Sequence, residues 1–542
     1  MLSLVTFLPL VGALLLLALP QSAAKMGALV ISLAVLAASV PLWFGYDPAG
    51  ADFQFVENLA WIDAFGVRYH MGIDGVSLLL VLLTTALTPI IILQGFSGVE
   101  HNHRGYFALM LALEGAMIGT FCALDTFLFY MFWELVLIPM YFLIGIWGGQ
   151  RRIYATVKFF IYTVVGSLLM LVAFIALYYL QAEAGTPTTD LEALLRLHIP
   201  YDTQLWMFAC FALAFAIKVP MFPFHTWLPD AHVEAPTGGS VVLAGVMLKM
   251  GTYGFYRFAM PLFPEAAIHF GPVMIGLAVI GIVYGALVAM VQDDVKKLVA
   301  YSSVSHLGYC MLGLFALNAP GVSGSVYQML SHGVSTGALF LLVGVLYERR
   351  HTRAIADYGG LAKSIPKFSF VFMVVTFSSI GLPGLNGFVG EFLVLLGAFQ
   401  FAPLPTAVAV TGVIFGATYM LWCFQRMVFG PLGNQANATL KDLNAREIAY
   451  LSPLLAAIVI MGVMPQPFLD RINPSVDRFV ARFADHYDGS PYVHAGPVPQ
   501  WIAGVPAPAA PPSGDLTHHP DHEGTVHGVP SEVPPAAHPA HE

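Results

Sequence analysis

The chain has 542 residues, of which 58% are hydrophobic and only 10% are charged, and its mean hydropathy is +0.75. A soluble globular domain carries about 25% charged residues, so this composition excludes one. With 23 basic and 32 acidic residues the net charge is −9, and we expect no nucleic-acid partner.

Apolar runs of about 20 residues recur along almost the whole chain, and each is long enough to cross a bilayer. The first run resembles a signal peptide but has no basic segment before it, so we expect an uncleaved first helix. We predict an all-α polytopic membrane protein with about 14 transmembrane helices. Their approximate positions are residues 2–20, 27–45, 73–95, 107–124, 126–147, 154–181, 204–228, 237–260, 269–291, 298–317, 321–347, 369–400, 405–430 and 447–468.

Basic residues are concentrated in alternate loops between these spans. The even-numbered loops contain few of them, such as Arg68 and Arg196, and residues 46–70 form a predicted acidic and aromatic outer loop. The positive-inside rule therefore places the odd-numbered loops in the cytoplasm and both termini on the periplasmic side of a bacterial inner membrane. The odd-numbered loops contain Lys25, Arg104, Arg151, Arg152, Lys296, Lys297, Arg349, Arg350, Arg353, Lys363, Lys367, Lys441 and Arg446.

Two of the predicted spans are interrupted. Pro220 and Pro223 follow Lys218 in the seventh span, and the glycine-rich residues 381–387 precede Glu391 in the twelfth. Five spans separate the two breaks, and a repeat of an odd number of spans is inverted in the membrane. We predict two inverted five-helix repeats, each with a broken helix. The expected domains are residues 1–106 (three helices), 107–260 (first repeat and proton-translocation unit), 261–430 (second repeat), 431–470 (final helix) and 471–542 (tail).

The tail of residues 471–542 is polar and rich in His and Pro. Such a composition cannot bury a core, so we expect the tail to be disordered and dispensable for the fold. Weak metal binding by its histidines is one interpretation, and the role of the tail otherwise stays open. These histidines are His518, His519, His522, His527, His538 and His541.

Charged or titratable residues lie within several apolar spans, where a charge costs about 2.5–3.5 kcal/mol. Taken one at a time, each of these residues has a purely structural interpretation. It is a member of a buried ion pair, a hydrogen-bonded core histidine or, for Lys218, a lysine near a helix end. Together, in separate helices, they favour a proton path. Glu114 is a further acid that we expect near a helix end, and His306 has serine neighbours that offer a merely local polar cluster. The proposed relay residues are Glu134, Lys218, Lys249, His306, His332 and Glu391.

A pair such as Glu134 and Lys218 is suited to act as a switch. At an effective dielectric constant near 20, opposite charges about 4 Å apart attract by roughly 4 kcal/mol, and by about half of that at 8 Å. Moving one charge against a membrane potential of about 200 mV costs about 4.6 kcal/mol. Because one such pair supplies less than this, we expect a coupled chain of several sites.

Redox, nucleotide and metal motifs are missing from the sequence. The cysteines Cys122, Cys210, Cys310 and Cys423 are far apart in apolar runs, which favours packing residues. No Walker or dinucleotide motif occurs. Four residues after the first break have no standard metal-ligand spacing, and a polar loop explains them better; they are His225, Asp230, His232 and Glu234. We expect no cofactor, metal or redox active site in this chain.

Residues 132–148 (FWELVLIPMYFLIGIWG) and 223–237 (PFHTWLPDAHVEAPT) resemble the antiporter-like membrane subunits of respiratory complex I, which are related to multisubunit sodium/proton antiporters. The resemblance implies a subunit of a proton-pumping NADH–quinone oxidoreductase, with NADH, FMN, iron–sulfur clusters and quinone held by partner subunits. It also implies that Glu134 pairs with Lys218, and that Lys249, His306 and His332 continue a hydrated axis to Glu391.

Three paralogous branches of that family are distinguished by two features. Chain L carries a long lateral helix, and nothing like it follows residue 468; chains L and N usually have lysine where this sequence has Glu391. The resemblance is therefore to the chain M, or mitochondrial chain 4, branch, and it implies chains L and N as partners. Two alternatives are a subunit of a multisubunit cation/proton antiporter and a purely structural membrane spacer.

Overall fold

The computed structural model describes residues 1–484 of the chain. The six tail histidines lie outside the described residues. The N-terminal part contains two helices, a two-stranded hairpin and a third helix, namely α1 (Leu2–Ala18), α2 (Gln21–Gly45), β1 (Gln54–Ile62), β2 (Val67–Ile73) and α3 (Gly75–Gly98).

The next part contains a broken helix and a helix with two π-helical segments. Its helices are α4 (His103–Cys122), α5 (Thr126–Trp147), α6 (Arg152–Glu183), α7 (Leu191–Leu194), α8 (Tyr201–Lys218), α9 (Trp227–Glu234), α10 (Thr237–Val242), α11 (Leu248–Gly254) and α12 (Met260–Leu262). The π-helical segments, Leu243–Met247 and Phe255–Ala259, join the last three of these into one continuous helix.

The last part contains a second broken helix and ends in an amphipathic helix. Its helices are α13 (Pro264–Met290), α14 (Val295–Phe315), α15 (Ala319–Arg350), α16 (Leu361–Ser364), α17 (Pro366–Ser379), α18 (Asn386–Phe401), α19 (Pro403–Val428), α20 (Gln435–Ala438), α21 (Ala445–Val463) and α22 (Gln466–Ala484).

The chain is an all-α polytopic membrane protein apart from the hairpin. Among the described residues, ten helices are long and apolar enough to cross a membrane. The other four predicted spans coincide with the short α1, the two broken helices and the helix with π-helical segments. The exact count of fourteen spans and the inverted repeat stay predictions.

Both predicted breaks are confirmed, and their residues explain them. Helix α8 ends at Lys218 because Pro220 cannot continue the hydrogen-bond ladder, and α9 begins at Trp227. Between α17 and α18, Gly381 and Gly384 adopt φ values of +71° and +90°, which side chains rarely tolerate. Each break therefore leaves a helix end inside the bundle.

Residues 46–70 connect α2 to α3, as the predicted loop requires, and they contain most of a β-hairpin that was not predicted. Strands β1 and β2 pair antiparallel, with Leu59 opposite Tyr69, and the turn ends at Gly66 with φ +62°. Aromatic and β-branched residues favour strands, and Leu124 donates its backbone N–H to His70 to fix the hairpin on the bundle. The hairpin lies on the face that carries the even-numbered loops.

The predicted start of the tail at residue 471 was also wrong. Residues up to 484 continue α22, whose apolar side chains recur at helical spacing and are buried: Ile472, Val476, Phe479 and Phe483. Ser475 Oγ accepts a hydrogen bond of 3.0 Å from the backbone N–H of Gly75. The helix is thus part of the packed structure, on the same face as the hairpin.

The core lies around α14 and α15, which are buried over 94% and 100% of their most apolar stretch. The corresponding stretches of α2 and α6 are only 28% and 39% buried, as expected for helices that face lipid. Polar side chains on α14 and α15 therefore lie as far from lipid as the fold allows.

Candidate functional site

Four of the six predicted relay residues form one row through the core. Lys249 Nζ lies 2.7 Å from Nδ1 of His332, and His306 Nδ1 lies 2.9 Å from Oε1 of Glu391. The two imidazole rings are 5.7 Å apart between centroids. All four residues are at most 7% exposed. The row crosses from the helix with π-helical segments, through α15 and α14, to the second broken helix.

Close backbone contact brings Lys249 to His332. A Cβ atom on Gly333 of α15 would lie 2.8 Å from the carbonyl oxygen of Gly245, so a glycine is required for this approach. Lys249 Nζ also donates a hydrogen bond to the carbonyl of Ala244, within the first π-helical segment. The irregular helix thus supplies a backbone acceptor for the buried ammonium group.

The second break positions Glu391. A Cβ on Gly381 would lie 2.9 Å from Oε2 of this carboxylate, so the interrupted backbone approaches it directly. Gln328 Nε2 donates a hydrogen bond of 3.1 Å to the same Oε1 that His306 contacts. Oγ of Ser379, the last residue of α17, lies 3.5 Å from Nε2 of His306.

A polar network holds the two halves of this broken helix together. Ser378 Oγ donates to Oδ1 of Asn386 at 2.5 Å and lies 2.8 Å from Oγ of Ser335. Asn386 Nδ2 donates to the carbonyl of Ser331 at 3.2 Å. Because α15 carries both serines and His332, the network fixes the break relative to the row.

The remaining two predicted residues are near each other but do not form a salt bridge. Lys218 is 2% exposed, and its Nζ lies 5.2 Å from the centroid of the Trp133 ring. Within residues 1–484, Oε1 of Glu134 is buried without a hydrogen-bond partner. The charges of Glu134 and Lys218 still interact over the longer distance. The structure therefore does not bring this pair into contact.

The first break packs directly against the helix that carries Lys249. A Cβ on Gly251 would lie 2.8 Å from both the backbone nitrogen of Val219 and the carbonyl oxygen of Phe215. The end of α8 is thus in direct contact with the helix that carries Lys249, the first residue of the row.

Sequence reasoning missed or misjudged three buried polar residues. Gln328 lies one turn before His332 on α15, and this i, i+4 spacing was a usable signal. His232 lies on α9 and is fully buried. Glu114 is the twelfth of twenty residues in α4 and is fully buried, so the expectation that it lies near a helix end was wrong.

The four residues after the first break are separated from one another. Asp230 pairs with Lys158 at 2.7 Å, and Glu234 Oε2 accepts a hydrogen bond from the backbone of Arg151. His232 stacks on Phe340 with centroids 4.5 Å apart. In the described part of the chain, no three His, Cys, Asp or Glu residues are grouped so that they could hold a metal ion.

Chemically, the row joins an amine, two imidazoles and a carboxyl group. Each can bind or release a proton, and an imidazole can accept at one nitrogen while it donates from the other. Hydrogen bonds already connect the amine to one ring and the carboxyl group to the other. The arrangement is suited to conduct protons along the middle of the bundle.

Comparison with known proteins gives a consistent result. Residues 123–416 match the family described as NADH:quinone oxidoreductase/Mrp antiporter, TM. NADH-quinone oxidoreductase subunit M of Rhodobacter capsulatus is 47% identical over 503 residues, covering 89% of this chain and 97% of the relative. NADH-ubiquinone oxidoreductase chain 4 of Arabidopsis thaliana is 46% identical, covering 87% and 95%.

A solved structure agrees with these relatives. A chain of respiratory complex I from Thermus thermophilus with bound NADH superposes with a TM-score of 0.82 at 36% identity, covering 89% of this chain and 100% of that one. The resemblance noted in the sequence is therefore confirmed. The chain belongs to the NADH:quinone oxidoreductase/Mrp antiporter transmembrane family, and within it to the subunit M and chain 4 branch.

Proposed function

We propose that this chain is a proton-translocating, antiporter-like membrane subunit of an NADH–quinone oxidoreductase. The observation that carries the proposal is the buried row of Lys249, His332, His306 and Glu391, with hydrogen bonds at both ends. A hydrogen-bonded chain of titratable groups in the core is costly for a mere spacer. The subunit M relatives favour this function over that of a stand-alone cation/proton antiporter.

In this proposal Lys249 donates a proton to Nδ1 of His332, and the resulting imidazolium releases its Nε2 proton towards His306. His306 accepts at Nε2 and passes the proton on Nδ1 to the carboxylate of Glu391, which is already in contact. After one transfer each ring is left as the opposite tautomer, with the proton on the nitrogen that faced the donor, so the ring must reorient and exchange that proton before it can accept the next one. The charge of Glu134 acts on Lys218 at longer range and biases when that lysine holds its proton.

The chemistry that drives the transfer takes place in other subunits. NADH, FMN, the iron–sulfur clusters and quinone are assigned to partner chains, because no motif for them occurs in this sequence. The neighbouring membrane subunits are the antiporter-like chains L and N. The odd-numbered loops face the cytoplasm of a bacterial inner membrane, and both termini face the periplasm.

The test is Lys249→Met in the assembled complex, which keeps an unbranched side chain of nearly the same length but removes its exchangeable protons. We expect NADH-driven proton transport into inverted membrane vesicles to fall at least about tenfold, as for loss of one proton-transfer group. Lys363→Met is the matched control, because Lys363 is an exposed lysine on α16. Normal transport by an assembled Lys249→Met complex would refute the proposed row.

A further inference from the structure

A cleft of about 770 Å³ opens at the end of α19, far along the chain from the relay residues. It lies between the last turns of α19, the loop that follows this helix and the loop that precedes α16. Both loops are odd-numbered, so the cleft opens on the side that the loop charges assign to the cytoplasm. Its lining includes Tyr358, Trp422, Gln425, Arg426, Phe429 and Asn434.

The cleft adjoins surface that faces lipid. The most apolar stretch of α19 is only 33% buried, and the large side chains of Trp422 and Phe429 at its end are exposed. Tryptophan is enriched where a membrane protein passes from the hydrocarbon core to the headgroups. Trp422 therefore indicates that the cleft lies at the level of the lipid headgroups.

Arg426 brings an uncompensated positive charge to this cleft. Its guanidinium carbon lies 4.2 Å from the centroid of the Trp422 ring. In the part of the chain that the structure describes, Arg426 forms no ion pair, and its Nε is buried without a hydrogen-bond partner. Stacking occupies one face of the planar group, so the donors along its edge stay available for an anion.

The charges around Arg426 favour an anionic ligand. Of the described residues, none that lines this cleft is acidic, and the carboxylate of the nearby Asp357 accepts a hydrogen bond from Thr352. Another cleft on the same face differs, because Arg151, 4.9 Å from the ring of Tyr154, shares it with acidic residues. Those residues are Asp230, Glu234, Asp293 and Asp294.

The loop after α19 leaves room for a bound headgroup. Gly430 has a φ value of +88°, and a Cβ atom on Gly430 or Gly433 would meet no other atom within 4 Å. Ile414 and Leu421, which are exposed and seven residues apart on α19, continue one apolar face from the cleft into the membrane. A ligand with a charged head and apolar chains matches this surface.

We propose that this cleft binds an anionic phospholipid of the cytoplasmic leaflet. The guanidinium group of Arg426 binds the phosphate, and the ring of Trp422 holds that group in place. The planar fork of donors on arginine matches the oxygens of a phosphate, and basic pockets on the cytoplasmic side of membrane proteins bind such headgroups. The inference does not rest on proton transfer through the row.

Photo-crosslinking detects a phospholipid in the cleft. The photoreactive amino acid p-benzoylphenylalanine replaces Gly433, where a side chain has open space. The complex is placed in phosphatidylcholine vesicles with a small fraction of radiolabelled phosphatidylglycerol, and illumination should transfer the label to this chain. Arg426→Gln should lower labelling about tenfold, as for loss of a hydrogen bond between charged groups. Arg151→Gln is the matched control and should leave labelling unchanged, because acidic residues surround that arginine.

Other results would overturn the proposal. Equal labelling by radiolabelled phosphatidylcholine would show that the cleft does not select a negative headgroup. Loss of labelling on addition of inorganic phosphate would assign the cleft to a free anion. A cross-link to a neighbouring subunit in place of lipid would make it a subunit contact. If Arg426→Gln does not assemble, the comparison of the two lipids in the complex that retains Arg426 decides alone.

Discussion

Lys218 and Lys249 are both buried lysines, but their surroundings differ. Lys249 has a hydrogen-bonded histidine and a backbone carbonyl, whereas Lys218 lies over aromatic rings with its acidic neighbour at a distance. A cation over an aromatic face gains about 2 kcal/mol when it is desolvated, less than the roughly 4 kcal/mol of a close ion pair at an effective dielectric constant near 20. Lys218 is thus held in a state that approach of Glu134 would stabilise.

Outside the membrane spans, the pair of His70 and Asp190 ties the hairpin to the loop that precedes α8. His70 Nδ1 and Asp190 Oδ2 are 2.5 Å apart, and both residues are buried. Burial alone would raise the pKa of Asp190, but the hydrogen bond and charge of His70 outweigh it and hold the pKa below its usual value.

A folded-state pKa below the unfolded value means that this stabilisation is present above about pH 4 and is lost as the pH falls through the folded pKa. We expect Asp190→Asn to destabilise the subunit by about 2 kcal/mol at pH 7, the value of a hydrogen bond to a charged group. The difference from wild type should shrink below about pH 4. Thermal denaturation of the solubilised complex at several pH values measures it. Asp202→Asn, at an exposed position, is the control, and a difference independent of pH would contradict the argument.

At the scale of elements, glycines set how closely helices approach the row. Gly251 allows the end of α8 to touch the helix that carries Lys249, and Gly333 allows α15 to touch the first π-helical segment. Both contacts are to backbone atoms, which cannot rotate away as a side chain can. A methyl group at either position must therefore separate two helices.

Gly251→Ala is expected to destabilise the subunit by about 1–3 kcal/mol through overpacking. The new Cβ would lie 2.8 Å from backbone atoms of Val219 and Phe215. The control is Gly276→Ala in α13, where nothing lies within 4 Å and alanine should stabilise the helix by about 0.5–1 kcal/mol. The thermal midpoint of the complex measures both. Equal midpoints for the two variants would show that the α8 contact does not limit packing.

Much of the architecture was predictable from sequence, for identifiable reasons. Proline and glycine mark backbone interruptions directly, so the breaks at Pro220 and Gly381 were found. The cost of burying charge singled out the members of the row. Their connections were not predictable, because the contact of Lys249 with His332 depends on how Gly245 and Gly333 rotate two helices against each other.

Two elements were missed because a local signal was overruled by the composition around it. In α22 the apolar spacing from Ile472 to Phe483 was visible, but the polar tail that follows hid it. The hairpin lies in an acidic loop whose strands are stabilised by contacts with the bundle, such as that between Leu124 and His70. Proton transfer by the relay residues does not follow from their positions alone and stays a prediction.

For the whole molecule, α22 closes one face of the bundle. It packs on α15 and the start of α3, and Arg471 lies 3.7 Å from the Trp43 ring centroid of α2. Tyr256 of the second π-helical segment stacks on Phe479 and donates a hydrogen bond to the Ser475 carbonyl. Helix α22 thus connects α2 and α3 to α15 and to the second π-helical segment.

Two truncations test this arrangement. Stopping the chain after Ala484 should leave assembly unchanged, because every contact described for α22 is kept. Stopping after Pro465 removes four buried apolar side chains, a loss of about 6 kcal/mol or more, and should abolish assembly. The yield of intact complex on native gels measures both. Assembly by the shorter chain would show that α22 is not required.

The first of the two π-helical segments on either side of α11 has a consequence for what Lys249 can bind. Each α-helical residue turns the chain by about 100°, and a π-helical turn absorbs one additional residue without shifting the ends. Deleting a single residue from Leu243–Met247 would therefore convert that turn to a regular one and leave Lys249 directed towards His332. The deletion would instead take the carbonyl of Ala244, which accepts a hydrogen bond from Lys249 Nζ, back into the regular backbone ladder, so that the ammonium group would lose this acceptor while every charged group remained in place.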